Sequence, residues 1–150
     1  MWYLEGIHLF GRLCPLKSKE SEAIMKPRAY GAGEMIYIPN DIAEFMHIVV
    51  QGRVRIGQYL DDGQEITKAI LSEGEVFGEM ALAGENVRKE FAESMDKDTQ
   101  ICLISILEVN ALMHTEADMS IRIIKWLGLR MTRLERKIEL LTFKDARTRV

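Results

Sequence analysis

The residues best placed to do chemistry lie in the stretch Ser72-Glu-Gly-Glu-Val-Phe-Gly-Glu-Met-Ala-Leu-Ala-Gly84. An apolar strand end, Val76-Phe77, meets Gly78, then the acid Glu79, then a short apolar segment of helical character that begins with Met80 and Ala81. A helix start leaves backbone N–H groups without intrahelical acceptors, and such groups form a seat for a phosphate or another anion. Glu79 beside that seat could accept hydrogen bonds from sugar hydroxyls. This is the chemistry of recognition. The rest of the chain holds no nucleophile–base set, no metal-ligand spacing and no paired acids on a convincing pocket wall, so neither catalytic nor metal residues are expected. Asp61-Asp62 belongs to a turn signal, and Glu73 and Glu75 flank Gly74 as ordinary solvated acids.

The elements that must position this stretch are short β-rich runs. Met35–Ile38, Glu44–Val50, Arg53–Leu60, Glu65–Leu71, Val76-Phe77, Glu90–Met95 and Gln100–Ile104 are separated by turn residues, among them Asp61-Asp62-Gly63 as a hairpin signal. Arg53–Leu60 alternates polar and apolar side chains as a half-buried strand should. Strands at this spacing predict an antiparallel barrel or roll. Ahead of them, Leu9–Met25 carries a helix signal, with Ser18 and Ser21 as caps and Pro27 as its terminator.

From Ser105 onward the pattern is helical. Ile106, Val109, Leu112 and Met113 form one amphipathic set. A long helix is predicted from about Glu116 to Leu141. Its apolar positions Ile124, Leu127, Met131, Leu134, Ile138 and Leu141 follow steps of 3, 4, 3, 4 and 3, an unbroken heptad seam. Intramolecular packing is the plain alternative for that row; the functional reading is the seam of a parallel two-helix homodimer. Gly128 costs such a helix about 1 kcal/mol against Ala and permits close approach of a partner.

The chain has 150 residues and a net charge of −3, about one domain with enough apolar content for a core. The charge is uneven: from Arg122 on there are nine Lys/Arg against three Asp/Glu, and the preceding 121 residues are net −9. A basic tail fits either proximity to nucleic acid or a solvated helix face. No apolar run approaches the ~20 residues of a membrane-spanning helix, and Met1-Trp-Tyr-Leu-Glu5 lacks the features of a signal peptide. Cys14 and Cys102 stand far apart among apolar residues and read as two buried thiols. A cytoplasmic protein without membrane contact is expected.

Helix, roll with the Ser72–Gly84 stretch as a phosphate-binding-type cassette, long helix, then Phe143-x-Asp145-x-x-x-Arg149-Val150: in this order the chain resembles the CRP/FNR family of bacterial transcription regulators. Gly33-Glu34, Gly52-Arg-Val54 and Gly74-Glu-Val-Phe-Gly-Glu79 carry the resemblance with that ending. It implies a mainly β fold with flanking helices, an antiparallel double-stranded β-helix (a jelly-roll-like β-roll) followed by a long dimerisation helix. The implied divisions are 1–115 for the roll, 116–142 for the dimer helix, and 143–150 for a hinge and the start of a helix-turn-helix domain. DNA would be bound by that domain beyond Val150, with RNA polymerase as a further partner of the whole protein.

The resemblance also implies an effector pocket over Gly78, Glu79, Met80, Ala81, Lys89, Glu90, Arg130, Leu134 and Glu135. In cyclic-AMP-binding members an Arg followed by a hydroxyl residue holds the cyclic phosphate. Counting back from Ile104 brings Lys89-Glu90 to that place, with Arg88 one step away. A carboxylate there opposes a phosphate by about 4 kcal/mol at 4 Å and an effective dielectric of 20. The two base-reading hydroxyls of the family fall on Leu134 and Glu135. Arg130 matches a family Arg that approaches the cassette acid, and would pair with Glu79. Cyclic AMP is therefore disfavoured as effector. Iron–sulfur members carry an N-terminal cysteine cluster, where Cys14 stands alone here. A haem-binding relative uses Cys and His at the positions of Gly78 and Met80, and His8, His47 and His114 are scattered. Neither cofactor is expected. A stand-alone cyclic-nucleotide module with a divergent phosphate site is the alternative; it would need neither the heptad helix nor the Arg149-Val150 ending.

Overall fold

The computed structural model describes residues 25–148. Eight strands come first: β1 (Met25–Tyr30), β2 (Met35–Tyr37), β3 (Phe45–Gln51), β4 (Val54–Tyr59), β5 (Glu65–Leu71), β6 (Val76–Phe77), β7 (Phe91–Ser94) and β8 (Thr99–Ser105). Two helices follow, α1 (Ile106–Thr115) and α2 (Ala117–Thr148). The strands form two four-stranded antiparallel sheets, ordered β1-β8-β3-β6 and β2-β7-β4-β5. Apart from the β4–β5 hairpin, successive strands thus alternate between the sheets in the manner of a roll, and the mainly β architecture with a long C-terminal helix is as expected.

The first sheet is buried on both faces. Val49, Ile101 and Leu103 point into the roll, where they meet Val54, Ile56 and Leu71 of the second sheet. Met46, Ile48, Cys102 and Ile104 point the other way, against Val109 of α1 and Met119, Ile123 and Trp126 of α2. Double burial explains why residues 101–104 read as a continuous apolar run. On the second sheet β4 keeps its alternation: Val54 and Ile56 turn inward while Arg55 ion-pairs with Glu65 and Glu93 at 2.8 and 2.9 Å.

Three differences from the sequence expectations are informative. Pro27 does not end a helix at Met25; both residues belong to β1, which among the described residues pairs only with β8. Proline is tolerated there because an edge strand leaves one side of its backbone without ladder bonds. The rest of the predicted N-terminal helix lies outside the described residues. Cys102 is fully buried but disulfide-bonded, so it is not the free thiol expected. Finally, α2 passes Phe143 without interruption and runs to Thr148.

The helices are set by local signals. Ser105 caps α1, its Oγ accepting from Leu107 N at 3.2 Å. On α2, Met119, Ile123 and Trp126 make the intramolecular stripe at steps of 4 and 3. The heptad row Ile124, Leu127, Met131, Leu134, Ile138 and Leu141 lies on another face. All six are between 38% and 66% exposed, so packing within the chain does not account for them. Beyond Arg130, every residue through Lys144 is exposed.

Candidate functional site

Strand β6 pairs with β3 through Ile48–Val76 and His47–Phe77, delivering the cassette to one end of the roll. Gly78 then turns the chain with φ 73° into a single 3-10 turn, Glu79–Ala81. Only glycine fits this place. Besides the left-handed backbone, a Cβ here would lie 2.8 Å from His47 Nδ1 and 3.0 Å from Arg88 Nη2. The turn closes on itself: Leu82 N donates to Glu79 O at 2.9 Å, and Ala83 N and Glu85 N donate to Met80 O, each at 3.0 Å.

The cation at the cassette is Arg88. Its backbone is pinned between Asp41 and Asn40: Arg88 N donates to Asp41 O, and Asn40 N donates to Arg88 O, both at 2.8 Å. Its side chain is buried. Nη1 donates to Gly78 O at 2.9 Å and Nη2 donates to Phe45 O. The guanidinium also lies over the Tyr37 ring, 4.4 Å from its centroid. Next to it the His47 ring stacks on Phe77 at 4.8 Å and 15°. Burial first, then the positive Arg88, pushes His47 down to about 3, so it is neutral near pH 7. Burial pushes the Tyr37 phenol well up; Arg88 opposes that shift, while Glu79, Glu90 and Glu85 add to it.

Lys89 and Glu90 sit differently from the pocket role that counting gave them. Lys89 is exposed, and half-buried Glu90 ion-pairs with Lys68 of β5. The residue turned inward is the one before them. Glu79 is engaged by α2: Arg130 Nη1 lies 2.6 Å from Glu79 Oε1, and the Arg130 guanidinium sits 5.4 Å from the Trp126 ring centroid. Ala81 is buried and Met80 half exposed. Leu134 and Glu135 stand on the exposed part of α2. Of the nine pocket positions, one chain thus brings together Gly78, Glu79 and Arg130, with Arg88 added. Tyr37 and His47 complete the inward polar set; the sequence signal for them was only their place on β-rich runs.

Among the described residues, no group of three or more His, Cys, Asp or Glu gathers to hold a metal. Nor is any described helix long and apolar enough to cross a membrane.

The fold agrees with that of the chain's relatives. The family model for the cyclic nucleotide-binding domain matches residues 27–116, spanning β1 to the end of α1. The chain belongs to the cyclic nucleotide-binding domain family. Its relatives include CRP/FNR-type regulators. The "Cyclic AMP receptor protein" of Thermus thermophilus is 29% identical over 98% of this chain and 68% of its own length. The "Global nitrogen regulator" of a Nostoc species is 29% identical over 77% of this chain and 52% of its own length. The crystal structure of the Thermus thermophilus catabolite activator protein superposes with a TM-score of 0.71 at 28% identity, covering 90% of this chain and 63% of that one. The chain therefore spans between about half and two thirds of these relatives. These three bear the names of a receptor, a regulator and an activator, not of enzymes.

Proposed function

We propose that this chain is the sensory and dimerisation region of a CRP/FNR-type transcription regulator in the cytoplasm. In the whole protein a helix-turn-helix domain would follow and bind DNA. One observation carries this reading. The Glu79–Arg130 ion pair ties the cassette to a helix whose other face is an uncovered heptad seam. That is the connection a sensor needs if events at the cassette are to alter the pairing of two helices. The seam has Ile124, Met131 and Ile138 at one core position and Leu127, Leu134 and Leu141 at the other. Isoleucine at a with leucine at d favours two parallel strands. The mechanism would be a population shift between arrangements of the paired helices, biased by the cassette's state.

The main charged groups of the cassette are already engaged inside the chain, although Arg88 Nε and His47 Nδ1 have no hydrogen-bond partner among the described residues, and this weighs against cyclic AMP as the usual effector. Arg88 is bound by two carbonyls and an aromatic face, Glu79 is held by Arg130, and the residue after Arg88 is Lys89 with no hydroxyl. A guanidinium freed from two buried carbonyls leaves both acceptors unsatisfied, at a cost of about 1–3 kcal/mol each. The position of Arg88 also favours a second reading, a cyclic-nucleotide module with a divergent phosphate site. Its buried guanidinium at the Gly78 carbonyl stands where a phosphate could reach it.

Calorimetry of the chain with cyclic AMP and cyclic GMP separates the two. No heat of binding at 100 μM ligand is expected. Binding tighter than that, lost in Arg88→Met, would establish the second reading.

A further inference from the structure

The heptad frame of α2 puts Arg130 at a g position and Glu135 at an e position. In a parallel pair of helices, a g residue of one chain lies beside the e residue five places on in the other. Between Ile123 and Lys144 this rule makes three cross-pairs: Ile123 with Gly128, Arg130 with Glu135, and Lys137 with Thr142. One of them joins opposite charges, and its cation is the residue already bound to the cassette acid. Glu135 is exposed and makes no ion pair among the described residues.

We infer that Glu135 of a second copy pairs with Arg130, so that each cassette is completed by a carboxylate from the other chain. The inference rests on the two-helix seam proposed above. Arginine suits the position because its planar guanidinium spreads a permanent charge over a wide fork, so that one side chain can face carboxylates from two directions. The arrangement puts two acids of different chains on one positive charge. A change in the grip of Glu79 on Arg130 is then felt at once across the seam. It also gives the parallel, in-register pairing a polar determinant that the apolar row alone lacks.

A charge-swap cycle read by sedimentation equilibrium tests this. Glu135→Arg sets two arginines against each other at both ends of the symmetric pair, and Arg130→Glu sets two glutamates. Each single change is expected to raise the dimer Kd about tenfold. The double variant Arg130→Glu/Glu135→Arg restores the pair in reverse and should return to within about twofold of the starting Kd. A double variant no tighter than the product of the two single effects would overturn the inference. Because Arg130→Glu also faces Glu79, a second cycle with Arg130→Gln and Glu135→Gln keeps the question decidable: non-additivity of about threefold supports the pair, and additivity overturns it. If the unaltered chain stays monomeric up to about 100 μM, the seam itself is refuted and this inference with it. A dimer without coupling refutes the Arg130–Glu135 pair alone.

Discussion

Arg88, His47 and Gly78 form a set in which each side chain, or its absence, makes room for the others. Gly78→Ala would force a left-handed backbone on a residue with a Cβ and drive that Cβ to 2.8 Å from the His47 ring. A loss of about 2 kcal/mol or more in urea unfolding is expected, against a surface Gly33→Ala as the strain-only reference, since a Cβ at Gly33 meets nothing within 4 Å. Equal losses in the two variants would mean that the cassette has space to spare. His47 gives a second measurement at this scale. Its folded pKa near 3 lies below the ordinary 6.5 of an unfolded chain, so between these values the unfolded state holds more protons. Stability from keeping His47 neutral is therefore complete above about pH 6.5 and is lost as the pH falls, at up to about 1.4 kcal/mol per pH unit. Chemical denaturation at pH 6.5 and pH 5 should show that slope, and His47→Gln should flatten it. Parallel slopes in the two chains would count against a buried neutral imidazole.

At the scale of elements, α2 carries two stripes with different fates. One packs on the roll through Met119, Ile123 and Trp126; the other runs uncovered from Ile124 to Leu141. Leu134→Asp places a charge in the middle of the second stripe without touching the first. It should convert a dimer to a monomer in light scattering while the circular dichroism of the roll persists; an unchanged mass would speak against the seam. The heptad row was legible because its spacing is a property of sequence alone. So were β2 to β8, marked off by their turn residues and, in β4, by alternation. The first strand was not legible. Pro27 is a stop signal inside a helix but is acceptable at a sheet edge, and which of these applies depends on the pairing of β1 with β8. The cassette was legible as a glycine turn between a strand and a helical segment, but the direction of its cation was not. Counting from Ile104 assumes a loop of fixed length. The backbone bonds of Asn40 and Asp41 to Arg88, together with the bridge between Ile42 and Val87, decide which side chain turns inward.

The whole molecule is a roll with a helix fastened at one end and projecting at the other, and Glu79–Arg130 is a fastening point between them. Replacing Glu79 with Gln keeps the size and removes the charge. We expect this to weaken the contact by about 1 kcal/mol, seen as roughly fivefold faster hydrogen exchange of the amides in the Glu79–Ala81 turn, while exchange in β3 and β8 is unchanged. Uniform acceleration throughout the roll would indicate general destabilisation and would argue against a local fastening. The uninterrupted course of α2 has a mechanical consequence. From Arg130 to Thr148 the helix extends about 27 Å at 1.5 Å per residue, and no residue through Lys144 is buried against the roll. It is a lever whose fulcrum lies beside the cassette. A tilt of about 10° at Arg130 sweeps the far end through about 5 Å, close to one helical pitch, so an adjustment of about 1 Å at the Glu79 carboxylate is amplified about fivefold at the end of the helix.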